Sequence, residues 1–161
     1  MVRHWRDPGL SEHDRDVLQK RQDHGWFVTT IAEDETGPSF AYSFGLYEEF
    51  KHPELIVFGI HPAIMHQLIN NAGELIKSGN RYRDGDVVPD LLEGFTCALR
   101  SVNPQRYLET CAWAVWFYEH ASFPVLQMFW PDKGGRFPWD AGFTESLRGR
   151  QPDLSQPRAS S

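Results

Sequence analysis

The chain has 161 residues, enough for a single domain that buries about 68–70% of its unfolded surface without covalent staples. Its formal net charge of -6 argues against a general nucleic-acid binder, because neutralising phosphates needs clustered Lys and Arg. No apolar run approaches the roughly 20 residues of a bilayer span, and Met-Val-Arg-His-Trp-Arg-Asp at the start lacks a secretory pattern, so the sequence reads as soluble and cytoplasmic, with no membrane partner.

Residues 1–10 read as a polar arm, 11–147 as one domain, and 148–161, dominated by Gly, Pro, Ser and Gln, as a disordered tail. Ser11-Glu12-His13-Asp14 resembles a capping box and predicts a surface helix ending near Gly25, with only Val17 and Leu18 plainly apolar. Trp26–Ala32 predicts a strand. The polar turn 33–38 joins it as an antiparallel hairpin to a second strand, Phe40–Leu46. There Phe40, Tyr42, Phe44 and Leu46 alternate with Ser39, Ala41, Ser43 and Gly45, so bulky groups take one face of a sheet and small ones the other. The small face leaves room for a ligand or for a closely packed helix. Tyr47–Lys51 is an acidic, aromatic link. Leu55–Ile60 is continuously apolar and predicts a central strand covered on both faces.

His61-Pro62 precedes the clearest helix, Ala63–Lys77, whose Ile64, Met65, Leu68, Ile69, Ala72, Leu75 and Ile76 share one arc. A short strand at Asp86–Val88 should be stopped by Pro89, and Phe95–Val102 predicts another strand. Asn103-Pro104 opens a further helix running as far as Tyr118, Val125–Trp130 predicts a last strand, and Gly134-Gly135 a turn pinned by Trp130 and Trp139. This order, with its hairpins, predicts an α+β domain: a mainly antiparallel sheet with helices packed on it. Cys97 and Cys111 read as buried small hydrophobes, their spacing supporting no disulfide.

Two stretches are candidates for a site. His52-Pro53-Glu54 stands where the central strand begins. A His and a carboxylate two apart on a strand point the same way, as a proton-transfer pair requires, although the same pair can instead satisfy backbone groups where the loop enters the sheet. In the second stretch, Gln127 is a buried amide that demands partners. Trp130, Asp132 and Arg136 place an indole, an acid and a base beside it, with Asp132 and Arg136 expected to pair. Together with Tyr42 and Ser43, these residues predict a pocket for a small polar or aromatic ligand, with His52 and Glu54 as the catalytic candidates if a reaction occurs. The alternative is a non-catalytic protein-interaction or regulatory module, a homodimer in its simplest form, because the chain carries six tryptophans and eleven phenylalanines and aromatics favour interfaces. His61 and His66 lie five apart, 140° around a helix, which fails the spacing of metal ligands, so no metal site is predicted. No nucleophile elbow, phosphate loop or dinucleotide pattern points to a cofactor.

Tyr-Ser-Phe-Gly-Leu at 42–46, His-Pro-Glu-Leu-Ile-Val-Phe-Gly at 52–59, and Gln-Met-Phe-Trp-Pro-Asp with Gly-Arg-Phe-Pro-Trp at 127–139 resemble the bacterial domain-of-unknown-function family 4262. The likeness spans about Gly25–Trp139 and implies one bacterial-type cytosolic domain, with no assigned chemistry. The opening order of strands and helix is similar, at the level of fold alone, to flavin-binding split barrels, without their phosphate-binding pattern.

Overall fold

The computed structural model describes residues 2–120 and 122–156. A six-stranded sheet carries five α-helices. In chain order these are α1 (Glu12–His24), β1 (Phe27–Ile31), β2 (Phe40–Phe44), α2 (Leu46–Phe50), β3 (Glu54–Phe58), α3 (Pro62–Lys77), β4 (Val87–Leu92), β5 (Phe95–Ser101), α4 (Tyr107–Thr110), α5 (Ala112–Tyr118) and β6 (Val125–Phe129). The strand order is β1-β2-β3-β6-β5-β4. Every neighbouring pair is antiparallel except β3 with β6. The class is therefore α+β, with a mainly antiparallel sheet.

Alternation along the strands builds two cores. Ala41, Leu55, Val57, Cys97, Leu99, Leu126 and Met128 turn to one face, where they meet Met65, Leu68, Ile69 and Ala72 of α3. Tyr42, Phe44, Ile56, Phe58 and Val125 turn to the other, against α1, α4 and α5. A helix thus occupies the space left by the small face of β2, with Ala41 beneath it. The two thiols are free and lie on opposite faces of the sheet, and burial pushes each up to about 12.

The caps read from the sequence are present. Ser11 Oγ accepts from Asp14 N–H and Gly25 ends α1 at φ 109°. The structure adds a third, the His61 ring accepting from Ala63 N–H at the start of α3.

Three expectations need correction. The strand after the hairpin stops at Phe44 rather than Leu46, because Gly45 takes φ 113° and starts α2. A Cβ there would lie 2.8 Å from both the Gly25 carbonyl and the Arg21 side chain, so only glycine fits. Pro89 lies inside β4 instead of ending it, since β4 is an edge strand, where a missing N–H is tolerated. The helix expected from Pro104 to Tyr118 is three pieces: a 3₁₀ turn at Pro104–Arg106, then α4 and α5, broken at Cys111 (φ -117°, ψ 42°). Within the stretch expected as a tail, Gln151 and Leu154 are buried against the sheet. The rest of the expected tail, 157–161, lies outside the described residues.

Candidate functional site

Glu54 opens β3 completely buried. Its carboxylate is the acceptor on which the surrounding chain converges. Ser43 Oγ donates to it at 2.8 Å, and the backbone N–H groups of Gly45, Leu46 and Tyr47 at 3.0, 3.2 and 3.1 Å. Tyr118 Oη, at the end of α5, donates as well. Three of these donors are the loose amides of the first turn of α2, so the carboxylate serves that helix as its N-terminal anion. Burial pushes the Glu54 pKa up, opposed chiefly by the Tyr118, Tyr47 and Ser43 hydrogen bonds. The Tyr118 phenol is also pushed upward, by burial and then by the neighbouring Glu54 charge. Ser43 has a second task. Its hydroxyl accepts from Leu55 N–H at 3.0 Å, standing in for a ladder carbonyl where β2 turns away from β3.

His52 engages other groups. Its Nε2 accepts from Tyr82 N–H at 3.0 Å, which leaves the proton on Nδ1 to donate to the Pro53 carbonyl at 2.8 Å. Its ring meets Tyr82 edge-on. Burial, reinforced by Arg81 and opposed by the Pro53 carbonyl, lowers its pKa. His52 thus holds the loop after α3, and Glu54 holds α2, with no hydrogen-bond partner in common. Tyr42 acts at a third place: its hydroxyl accepts from Trp113 N–H at 2.9 Å and caps α5 just after the break at Cys111.

The second stretch is tied to the chain's last described residues. Gln127 Nε2 donates to the Pro152 carbonyl at 2.6 Å, and its Oε1 accepts from Leu154 N–H at 2.9 Å. Trp130 exchanges backbone bonds with the Gln151 amide, 2.9 Å each way, and its indole donates to the Phe58 carbonyl at 2.7 Å. Residues 151–154 therefore form a strap fixed by the amide that the sequence marked as needing partners. Gly59, at φ 85°, lets this strap close in, since a Cβ there would sit 2.3 Å from the Arg150 carbonyl. Asp132 and Arg136 do pair, at 3.3 Å. Asp132 also accepts from the N–H groups of Gly134, Arg136 and Thr144 and from the Thr144 hydroxyl, so it organises the 132–144 loop. Those bonds pull its pKa down to about 2. Among the described residues no strand follows this turn, which closes as a loop.

The structure brings Ser43 and Glu54 together, and Gln127 and Trp130 onto one strap. Four cavities formed by described residues, of about 560, 450, 300 and 240 Å³, have none of Tyr42, Ser43, His52, Glu54, Gln127, Trp130, Asp132 or Arg136 in their walls. The one of about 560 Å³ lies beneath the β1–β2 hairpin. Phe40 and Phe58, stacked with centroids 4.8 Å apart, and Pro152 and Leu154 of the strap form its apolar walls. Asp34 and Thr36 at the hairpin tip and Arg106, Glu109 and Thr110 around α4 form its polar rim, where Arg106 pairs with Glu109. Sequence reading missed this site because half of it depends on where the strap lies. The available signals were the Asn103 cap, whose side chain accepts from Gln105 N–H and sets Arg106 at the start of the helical run, and the isolated Leu154 in a polar tail.

Among the described residues, no three His, Cys, Asp or Glu side chains are grouped to hold a metal, and no helix is long and apolar enough to cross a membrane.

A single sheet with helices on both faces defines a small α+β domain. Within that class, residues 21–144, more than half of the chain, match the family model described as Domain of unknown function (DUF4262), and the chain belongs to that family. No curated protein and no solved structure matches it.

Proposed function

We propose that the domain binds a small ligand with a flat apolar body and polar edges, and that it does so in the cavity beneath the β1–β2 hairpin rather than between stretches 42–54 and 127–139. The observation that carries this reading is the pairing of a stacked Phe40–Phe58 wall with the Arg106, Glu109 and Thr110 rim in about 560 Å³, a volume within the roughly 300–1,000 Å³ of small-molecule sites. The aromatic wall suits a planar ring, while the rim offers both donors and acceptors to its edge. His52 and Glu54 then serve the fold by holding the loop after α3 and the start of α2.

The test is a thermal-stabilisation panel of nucleosides, flavins and aromatic acids. A ligand at a hundred times its Kd adds about 2.7 kcal/mol. That corresponds to a rise of about 5–10 °C for a domain of this size. Arg106→Ala should leave the apo midpoint within about 2 °C and abolish the rise. A hit whose effect survives Arg106→Ala but vanishes in Arg136→Ala would place binding at the other stretch.

A second reading, a protein-interaction module, draws on Leu108 of α4, 75% exposed, and on the half-buried Trp113 and Trp116 of α5, which line a further cavity of about 300 Å³. Leu108→Asp tests it: association lost with the melting midpoint unchanged supports it, and association unchanged refutes it.

A further inference from the structure

On the face of the sheet that carries α1 and α5, two indoles stay at the surface. Trp113 and Trp116 lie one turn apart on α5, both half-buried, with ring centroids 5.3 Å apart and planes at 84°. They form two sides of a right-angled box. Asp14 of α1 and Ala112 complete the walls of the cavity there, about 300 Å³ in volume. The buried Phe44 lies parallel to Trp113, with centroids 6.3 Å apart, and backs that ring. The Arg3 guanidinium lies 4.8 Å from the centroid of the Trp116 ring and donates to the Trp116 carbonyl. Arg3 is not one of the cavity walls, so the chain itself places a cation over Trp116 at a point outside the cavity.

Asp14 supplies the charge. Its backbone N–H donates to Ser11 Oγ, but among the described residues its carboxylate meets no cation and no hydrogen-bond donor. The basic groups nearby are engaged elsewhere: Lys20 with Asp16 at 2.9 Å, Arg3 with Glu119 at 3.8 Å, and Arg15 with the Trp5 carbonyl. The Trp113 N–H at the start of α5 is turned to the Tyr42 hydroxyl.

Two perpendicular indoles and one uncompensated carboxylate attract a cation, through the ring quadrupoles and through charge. They do not suit a bare ammonium, whose several donors would exchange water for a single acceptor. A quaternary ammonium spreads its charge over methyl groups, donates no hydrogen bond and is satisfied by aromatic faces.

We propose that Trp113, Trp116 and Asp14 bind a small quaternary ammonium compound of the choline class, the rings enclosing its trimethylammonium group and the carboxylate balancing its charge. A volume of about 300 Å³ stands at the low end of small-molecule sites and holds the whole of so small a molecule. The cavity beneath the hairpin shares no wall residue with this one, so either site can stand without the other.

Titration of the full chain with choline, followed through the indole N–H signals of an isotope-labelled sample, tests the proposal. The control is the carbon analogue of choline, in which a tert-butyl group replaces trimethylammonium and the charge is lost. Choline should shift the Trp113 and Trp116 signals and leave those of Trp26 and Trp130, whose N–H groups are bonded to Asn70 and Phe58. The control should bind about tenfold more weakly. Asp14→Asn should weaken choline about fivefold while leaving the control's affinity and the circular dichroism unchanged, and Trp116→Leu should remove choline binding. Should Trp116→Leu fail to fold, Asp14→Asn decides. Equal affinities for choline and the control, an Asp14→Asn chain that binds choline as the wild type does, or no shift of either indole overturns the proposal. So does a response to a trimethyllysine peptide alone, which would make the occupant a protein.

Discussion

Replacing Glu54 by Gln keeps its shape and removes its charge. In the native chain two backbone amides, Gly45 and Tyr47, and the Tyr118 hydroxyl point at Oε2, while Ser43 and Leu46 point at Oε1. A Gln amide has one oxygen, so one of these sets faces an NH₂ group that can only donate. The Tyr118 hydroxyl is not free to turn into an acceptor without loss, because it already accepts from Glu48 N–H at 3.2 Å. At least two buried donors are stranded, each costing about 1–3 kcal/mol. Relief from burying a charge offsets part of this, leaving a net loss of about 2–4 kcal/mol. At about 2–4 °C per kcal/mol for this size, the midpoint should fall by about 5–15 °C. Thermal unfolding followed by circular dichroism, without ligand, measures it. A midpoint unchanged or raised would refute the assignment of Glu54 as the anion that anchors α2, and would return it to the set of residues free for chemistry.

Three further outcomes are expected. The folded His52 pKa lies below its ordinary 6.5, so its contribution is present above that value and lost as pH falls through the folded pKa; urea titrations from pH 7 to pH 5 should show this loss, and His52→Gln should reduce it. Asp132 falls from 3.8 to about 2, so its contribution is present above 3.8 and lost as pH drops toward about 2; Asp132→Asn should flatten that acid limb and lower the midpoint at neutral pH. Leu154→Ala should cost about 2–5 kcal/mol by urea denaturation, because Leu154 is buried against the aromatic core and its backbone is held by Gln127 and Asn103; a loss below about 0.5 kcal/mol would mean that the strap is not part of the folded unit.

Period-two alternation at 40–46, the apolar run at 55–60 and the single apolar arc of α3 are local signals, and from them the sheet, its central strand and its best helix were legible. The break at Cys111 was not, because it depends on the Tyr42 hydroxyl reaching Trp113 from a distant strand. Pro89 misled for a similar reason: whether proline ends a strand depends on that strand's place in the sheet, which no local window contains. Gln127 was marked correctly as an amide in need of partners, but its partners lie in a segment whose composition resembles a disordered tail. His52 and Glu54 were legible as polar residues at the threshold of a core strand. Their tasks were not, since two side chains close in sequence diverge to Tyr82 on one side and to Gly45–Tyr47 on the other.

Amide NMR spectra recorded during a screen of flat aromatic fragments can locate the proposed ligand site beneath the β1–β2 hairpin. Perturbed amides should cluster at Thr36, Phe40, Arg106, Thr110 and Leu154, around the cavity wall and rim. Perturbations centred on Ser43, Glu54, Gln127 and Asp132, or none anywhere across the screen, would contradict it.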